Sequence, residues 1–165
     1  MWRLASACAI GAALALGLCV LVPALLGFQR YVITSGSMTG TYDRGALVFD
    51  RVVATSSLRP GDVITFRPPG QSGPVTHRIA SIRTVRGERV LRTQGDANRV
   101  PDTWGPFALH AAKQARVAFH LPYVGYALGA LSERKVRMVV IGLPALIIAL
   151  VTLAGLWRAP AEVRP

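Results

Sequence analysis

The stretch VTHRIASIRTVRGERVLRTQGD, residues 75–96, decides how the middle of this 165-residue chain folds. Both arms are rich in β-branched and other apolar residues. Between them Arg86-Gly87-Glu88 supplies turn chemistry, with a glycine free to take a positive φ. The stretch therefore reads as an antiparallel hairpin centred on Gly87. Positions equally far from such a turn face each other; His77 lies ten residues before Gly87 and Ala97 ten after. His77 and Asp96 are thus expected at the same end of the hairpin, nearly opposite. Without Ser37, that placement favours a structural hydrogen-bonded pair over a catalytic one.

The neighbouring segments follow the same grammar. GALVFDRV (45–52) is an apolar run after the turn residues Tyr42-Asp43-Arg44-Gly45. RPGDVITFRPPG (59–70) holds a Pro-Gly-Asp turn, a short apolar strand and a Pro-Pro-Gly stop. No internal repeat or low-complexity segment interrupts them. Only FALHAAKQAR (107–116) carries a helical rhythm. The expected fold class is mostly β, a small coiled sheet or partial barrel.

The ends differ from the middle. No charged residue occurs from Leu4 to Phe28 or from Met138 to Trp157. Each run reaches the roughly 20 apolar residues needed to cross a bilayer core. The first run could also be a cleaved leader, with Ala13-Leu14-Ala15 as its small residues. Its apolar length exceeds the usual 7–15-residue leader core, so an uncleaved anchor is the better reading. Leu18 stands where a lipid-attachment motif before Cys19 needs a small residue. Cys8 and Cys19 both fall inside the apolar run and read as small hydrophobes. The expected organisation is an N-terminal transmembrane anchor (1–28), a β-rich domain (29–137), a second transmembrane helix (138–157) and a tail (158–165).

Nineteen basic against eight acidic residues leave a formal charge of +11, and 17 of the 19 are Arg. They are scattered through the middle domain, with no nucleic-acid-binding motif among them, so no nucleic-acid partner is expected. Proximity to anionic lipid headgroups accounts for the charge. Arg3 favours a cytoplasmic start, although Arg30, Arg134, Lys135 and Arg137 then lie outside. Translocation of domains longer than about 60 residues largely ignores charge. The expectation is a multi-pass cell-membrane protein with its β domain on the extracytoplasmic side.

Ser-Gly-Ser-Met at 35–38 is ordinary loop composition by itself. It gains meaning beside His77, Asp96 and Asp102. A serine hydroxyl is a poor nucleophile until a base removes its proton. An imidazole, with an ordinary pKa of about 6.5, can do so at neutral pH, and a carboxylate fixes its tautomer. His110 and His120 carry no motif and read as surface or packing residues. Trp104, Phe107, Tyr123 and Tyr126 fit either a headgroup-level aromatic rim or core packing.

Taken together, these segments resemble the type I signal peptidases, in particular their archaeal and endoplasmic-reticulum-type branch of serine peptidases. SGSM resembles the nucleophile box. GALVFDRV and RPGDVITFR resemble the strands that follow it, and VTHRI resembles the general-base box. TQGDANRVPD resembles the acidic box, and LPYVGY the segment before the second span. The bacterial branch uses a lysine base. The two lysines here, Lys113 and Lys135, lie far downstream, and His77 occupies the base position.

The resemblance implies Ser37 as acylated nucleophile, His77 as general base and Asp102 as the carboxylate orienting it, with Asp96 structural or secondary. Hairpin register alone favours Asp96 as the nearer partner, so both aspartates stay in contention. The resemblance also implies the Ser37 amide and the Ser35 hydroxyl as oxyanion-hole donors, while Ser35 has an equally simple reading as a turn former. The implied activity is membrane-bound endoproteolysis of signal-peptide-bearing preproteins after small residues. Preproteins and membrane lipids are the expected partners, and neither cofactor nor metal is required. Two other readings are a processing protease dedicated to a few secreted proteins and a non-enzymatic, membrane-anchored basic scaffold. Nothing in the chain specifies an accessory subunit.

Overall fold

The structure, a computed structural model, describes residues 11, 15, 17–142, 146, 149–150 and 152–154. Seven strands are seen: β1 (Gln29–Val32), β2 (Leu47–Ala54), β3 (Val63–Phe66), β4 (Val75–Val85), β5 (Glu88–Gln94), β6 (Phe107–Ala108) and β7 (Lys113–Leu121). They form one sheet in the order β1-β2-β7-β3-β4-β5-β6. Every pairing is antiparallel. The mostly-β expectation is met by a curled, half-barrel sheet.

Local chemistry sets the turns. Asp62 N–H closes onto Arg59 O (3.1 Å), and the Asp62 carboxylate accepts from Arg59 N–H (2.9 Å). Gly61 supplies the positive φ of 94° that this tight turn needs. The four residues of β3 are all buried, which fits an unbroken apolar run placed at the centre of the sheet.

The β4–β5 hairpin turns on two residues rather than one. Val85 pairs with Glu88, and the loop Arg86-Gly87 has φ values of 52° and 85°. Positive φ at both loop residues matches the right-handed twist of the flanking strands. Farther along, Ile79 pairs with Thr93 but Ser81 with Arg92, so Ala80 is an extra residue in β4. This bulge and the shifted turn centre move the far end of the hairpin away from the register expected from the sequence.

FALHAAKQAR is not a helix. Phe107–Ala108 pairs along β5, and Lys113 begins β7, which fills the gap between β2 and β3. The Gln114 side chain donates to Thr65 O (2.6 Å), tying β7 to β3. Long-range pairing outweighs a weak local helical preference.

One core cluster joins Leu58, Ile64, Phe66, Ile79, Leu91 and Phe107, with Phe66 and Phe107 stacked at 4.9 Å. A second gathers Ile33, Ala46 and Val48 with Tyr31, Tyr42 and Val117. Burying each large side chain contributes about 1.5–3 kcal/mol. The second cluster fixes the chain just before Ser35.

After β7 the described chain is mainly helical, with Val124–Ser132, Arg134–Arg137 and a π-helical turn at Met138–Gly142. The spans expected at 4–28 and 138–157 are described only in part, with residues 4–10, 12–14, 16, 143–145, 147–148, 151 and 155–157 outside the described residues. Among the described residues, no helix is long and apolar enough to cross a membrane.

Candidate active site

The segment Thr34–Met38 is held from both sides. Ile33 N–H donates to Ala46 O (2.9 Å), and Gly45 N–H donates to Ile33 O (2.8 Å), extending the β1–β2 pairing up to the loop. Beyond it, Met38 is buried, and Ala97 N–H donates to Ser37 O (2.9 Å). Gly95 packs directly on Ser37: a β-carbon there would lie 2.5 Å from the Ser37 carbonyl oxygen. No side chain larger than hydrogen fits at that approach.

His77 sits on β4 opposite Ile64 and is only 5% exposed. Its Nε2 lies 2.9 Å from Ser37 Oγ, and its Nδ1 lies 2.6 Å from Asp102 Oδ2. A carboxylate can only accept, so Nδ1 carries the ring proton, and Nε2 accepts from the Ser37 hydroxyl. Asp102 is anchored by its own amide, which donates to Thr93 O (3.0 Å). Its side chain is 3% exposed. The Trp104 ring stacks on the imidazole (centroids 5.6 Å, 29° between planes) and donates from Nε1 to Thr93 Oγ1 at 3.0 Å. With the Ser37 proton directed to His77, the Ser35 hydroxyl, 3.0 Å away, donates to Ser37 Oγ.

Asp96 is elsewhere. Arg78 grips it with two bonds, Nε to Oδ1 at 2.8 Å and Nη2 to Oδ2 at 2.6 Å, and a third bond from Arg78 reaches Gly61 O. The Arg78 guanidinium holds the Asp96 carboxyl below the usual carboxylate range. The expectation that hairpin register sets Asp96 against His77 is thereby corrected. Arg78 pairs with Gln94 once the bulge at Ala80 is counted. The register centred on Gly87 itself pairs Arg78 with Asp96, and the turn and the bulge together shift the pairing by two residues, which keeps Asp96 on the face of Arg78 and off that of His77.

The other sequence candidates are dispersed. His110 is exposed, and His120 meets Tyr42 edge-on (5.0 Å). Phe107 is core, whereas Tyr123 and Tyr126 are exposed. Sequence reasoning missed Gly95 and Arg78, although both stand inside the quoted motifs. Among the described residues no cluster of His, Cys, Asp or Glu is arranged to hold a metal ion.

Two hollows flank the Ser37–His77 pair. One, of about 190 Å³, lies between residues 32–35 and 74–76 beside Ser37. The other, about 470 Å³, lies along residues 97–104 beside His77.

No protein-family model matches the chain. It is similar to the signal peptidase complex catalytic subunit sec11 of Neurospora crassa, 32% identical over 132 residues covering 72% of this chain and 73% of the relative. It is also similar to signal peptidase I W of Bacillus subtilis, 33% identical over 102 residues, 61% of this chain and 52% of that one. A third relative is the signal peptidase complex catalytic subunit SEC11 of Clavispora lusitaniae, 32% identical over 114 residues, 62% of this chain and 64% of that one. The chain thus spans most of the Neurospora relative and less than two thirds of the other two.

Proposed function

The chain belongs to the type I signal peptidases, a family of peptidases, and from that premise we propose that it is a membrane-bound serine endopeptidase removing signal peptides from exported precursors. The observation that carries the mechanism is the continuous hydrogen-bonded array from Ser37 through His77 to Asp102. Family membership sets aside the scaffold reading.

In this mechanism His77 Nε2 takes the Ser37 proton as Oγ bonds to the scissile carbonyl carbon. Asp102 holds the imidazole in the required tautomer and stabilises the imidazolium. The same proton then passes to the departing amine nitrogen as the C–N bond breaks. Water, activated by His77, hydrolyses the acyl-serine. The Ser37 amide makes no backbone hydrogen bond among the described residues, which leaves it available to donate to the developing oxyanion, and the Ser35 hydroxyl joins it by turning from Ser37 Oγ as that oxygen bonds to the carbonyl carbon. The residues before the cut would lie extended between 32–35 and 74–76, where a hollow of about 190 Å³ suits small side chains. The charge-free runs at 4–28 and 138–157 support two anchors, with the β domain on the extracytoplasmic side.

The test is cleavage of a model preprotein by the purified full chain, with product N-termini mapped. Wild type is expected to cut after a small residue, and Ser37→Ala and His77→Ala to be inactive. Lys113→Ala and Lys135→Ala should stay active. A folded lysine variant without activity, beside an active His77→Ala, would overturn the Ser-His assignment.

A further inference from the structure

The hollow along residues 97–104 shares no lining residue with the one beside Ser37. His77 lines it, while Ser35 and Ser37 line the smaller hollow across the site. Chemistry orders the two. The carbonyl under attack must lie at Ser37, and the departing nitrogen must come within hydrogen-bond reach of His77 Nε2 to receive its proton. A chain entering beside residues 32–35 therefore leaves on the His77 side, over residues 97–104.

The charge of this second hollow is set by few groups. Asp102 is buried against His77. Asp96 is neutralised by Arg78. Arg99 lines the hollow, is exposed, and makes no ion pair or hydrogen bond among the described residues. The loop carrying it is ordered: Asn98 N–H donates to Gly95 O (2.9 Å), and the Gln94 side chain donates to Asn98 O (2.8 Å). The result is a firm ledge with one uncommitted guanidinium at its edge.

We infer that the hollow along residues 97–104 is the subsite for the first residues of the released polypeptide, and that Arg99 selects acidic side chains there. This rests on the peptidase reading above. An Arg–carboxylate contact at an exposed site is weak and screened by salt, so the preference is a bias in rate.

Two measurements on the full chain test it. In the first, kcat/KM is compared for preproteins carrying Asp or Lys at the second position after the cut. Wild type should favour Asp about fivefold, with the preference shrinking at about 0.5 M salt, and Arg99→Glu should reverse it. An unchanged Asp-to-Lys ratio in Arg99→Glu overturns the role of Arg99. In the second, the Ser37→Ala protein is photocrosslinked to a precursor with a photoreactive residue at that same position. Labelling should fall within 97–104, and labelling confined to 32–35 or 74–76 overturns the subsite. Because crosslinking needs no turnover, the two failures are distinguishable: a precursor that wild type never cuts overturns the peptidase reading and the subsite with it, whereas a precursor that is cut but labels only 32–35 or 74–76 overturns the subsite alone.

Discussion

Gly95 and Ser37 are in backbone contact: a β-carbon at 95 would lie 2.5 Å from the Ser37 carbonyl oxygen and 3.0 Å from its Cβ. The next two amides of the same turn fasten the loop further, Asp96 N–H toward Met38 Sδ and Ala97 N–H to Ser37 O. Ser37, the proposed nucleophile, is thus held by the end of β5 and not by its own loop alone.

Gly95→Ala should accordingly push Ser37 away from His77. A misplacement of about 1 Å costs on the order of 100-fold in rate, and overpacking costs about 1–3 kcal/mol in stability. Activity loss well beyond any fall in thermal midpoint is expected in preprotein cleavage assays. A variant with wild-type turnover would show that the contact does not set the geometry.

The two aspartates should separate cleanly. Asp102→Asn keeps the shape but favours the wrong imidazole tautomer. In chymotrypsin-like proteases the equivalent change lowers turnover about 10⁴-fold, so a loss on the order of thousands-fold with an unchanged midpoint is expected here. Asp96→Asn weakens the Arg78 clamp between the 95–98 turn and Gly61. Its expected signature is a lowered thermal midpoint with a smaller rate loss. Initial rates and midpoints for both variants decide, and an inactive, fully stable Asp96→Asn beside an active Asp102→Asn reverses the roles.

The contest between these aspartates shows where sequence reading stops. β3, the turns at 42–45 and 59–62 and the β4–β5 hairpin are legible because local chemistry dictates them: an apolar run, Gly61 at positive φ, Arg86-Gly87 between two β-rich arms. Ser37 and His77 stand out because motif order places them. The bulge at Ala80 has no signature in its residues, and strand register says nothing of Asp102, which reaches His77 from the loop after β5. The strand at Lys113–Leu121 is equally hidden, since its conformation comes from β2 and β3, which lie far away in sequence.

Trp104 offers a further test of how His77, the proposed base, is held. Its ring covers one face of His77, and its indole N–H is fixed on Thr93. Trp104→Ala should free the imidazole and lower kcat about 10–100-fold with little change in KM. Trp104→Phe keeps an aromatic wall and loses only the hydrogen bond, so it should recover most of the rate. Steady-state kinetics at a temperature where all variants are folded distinguish this from destabilisation. Equal loss in both variants would assign the effect to the Thr93 bond.

Asp50 should make stability depend on pH. Its side chain is fully buried, and neither carboxyl oxygen has a hydrogen-bond partner. Burial pushes its pKa up from 3.8 to about 6, and the Thr65 hydroxyl offsets part of this. That hydroxyl's close contact, at 2.8 Å, is with Thr76, so burial governs. An acid with a raised folded pKa binds its proton more tightly in the native state. Its stabilising contribution is complete below pH 3.8 and is lost as pH rises through about 6. Two pKa units correspond to about 3 kcal/mol as an upper bound. Asp50→Asn removes the ionisation while nearly keeping the volume. Relative to wild type, it should gain up to about 3 kcal/mol between pH 4 and pH 8 in denaturant titrations. Whatever fixed cost the amide adds is the same at both pH values and cancels. A wild-type-to-variant difference that does not change with pH would mean that Asp50 is not the buried acid that titrates.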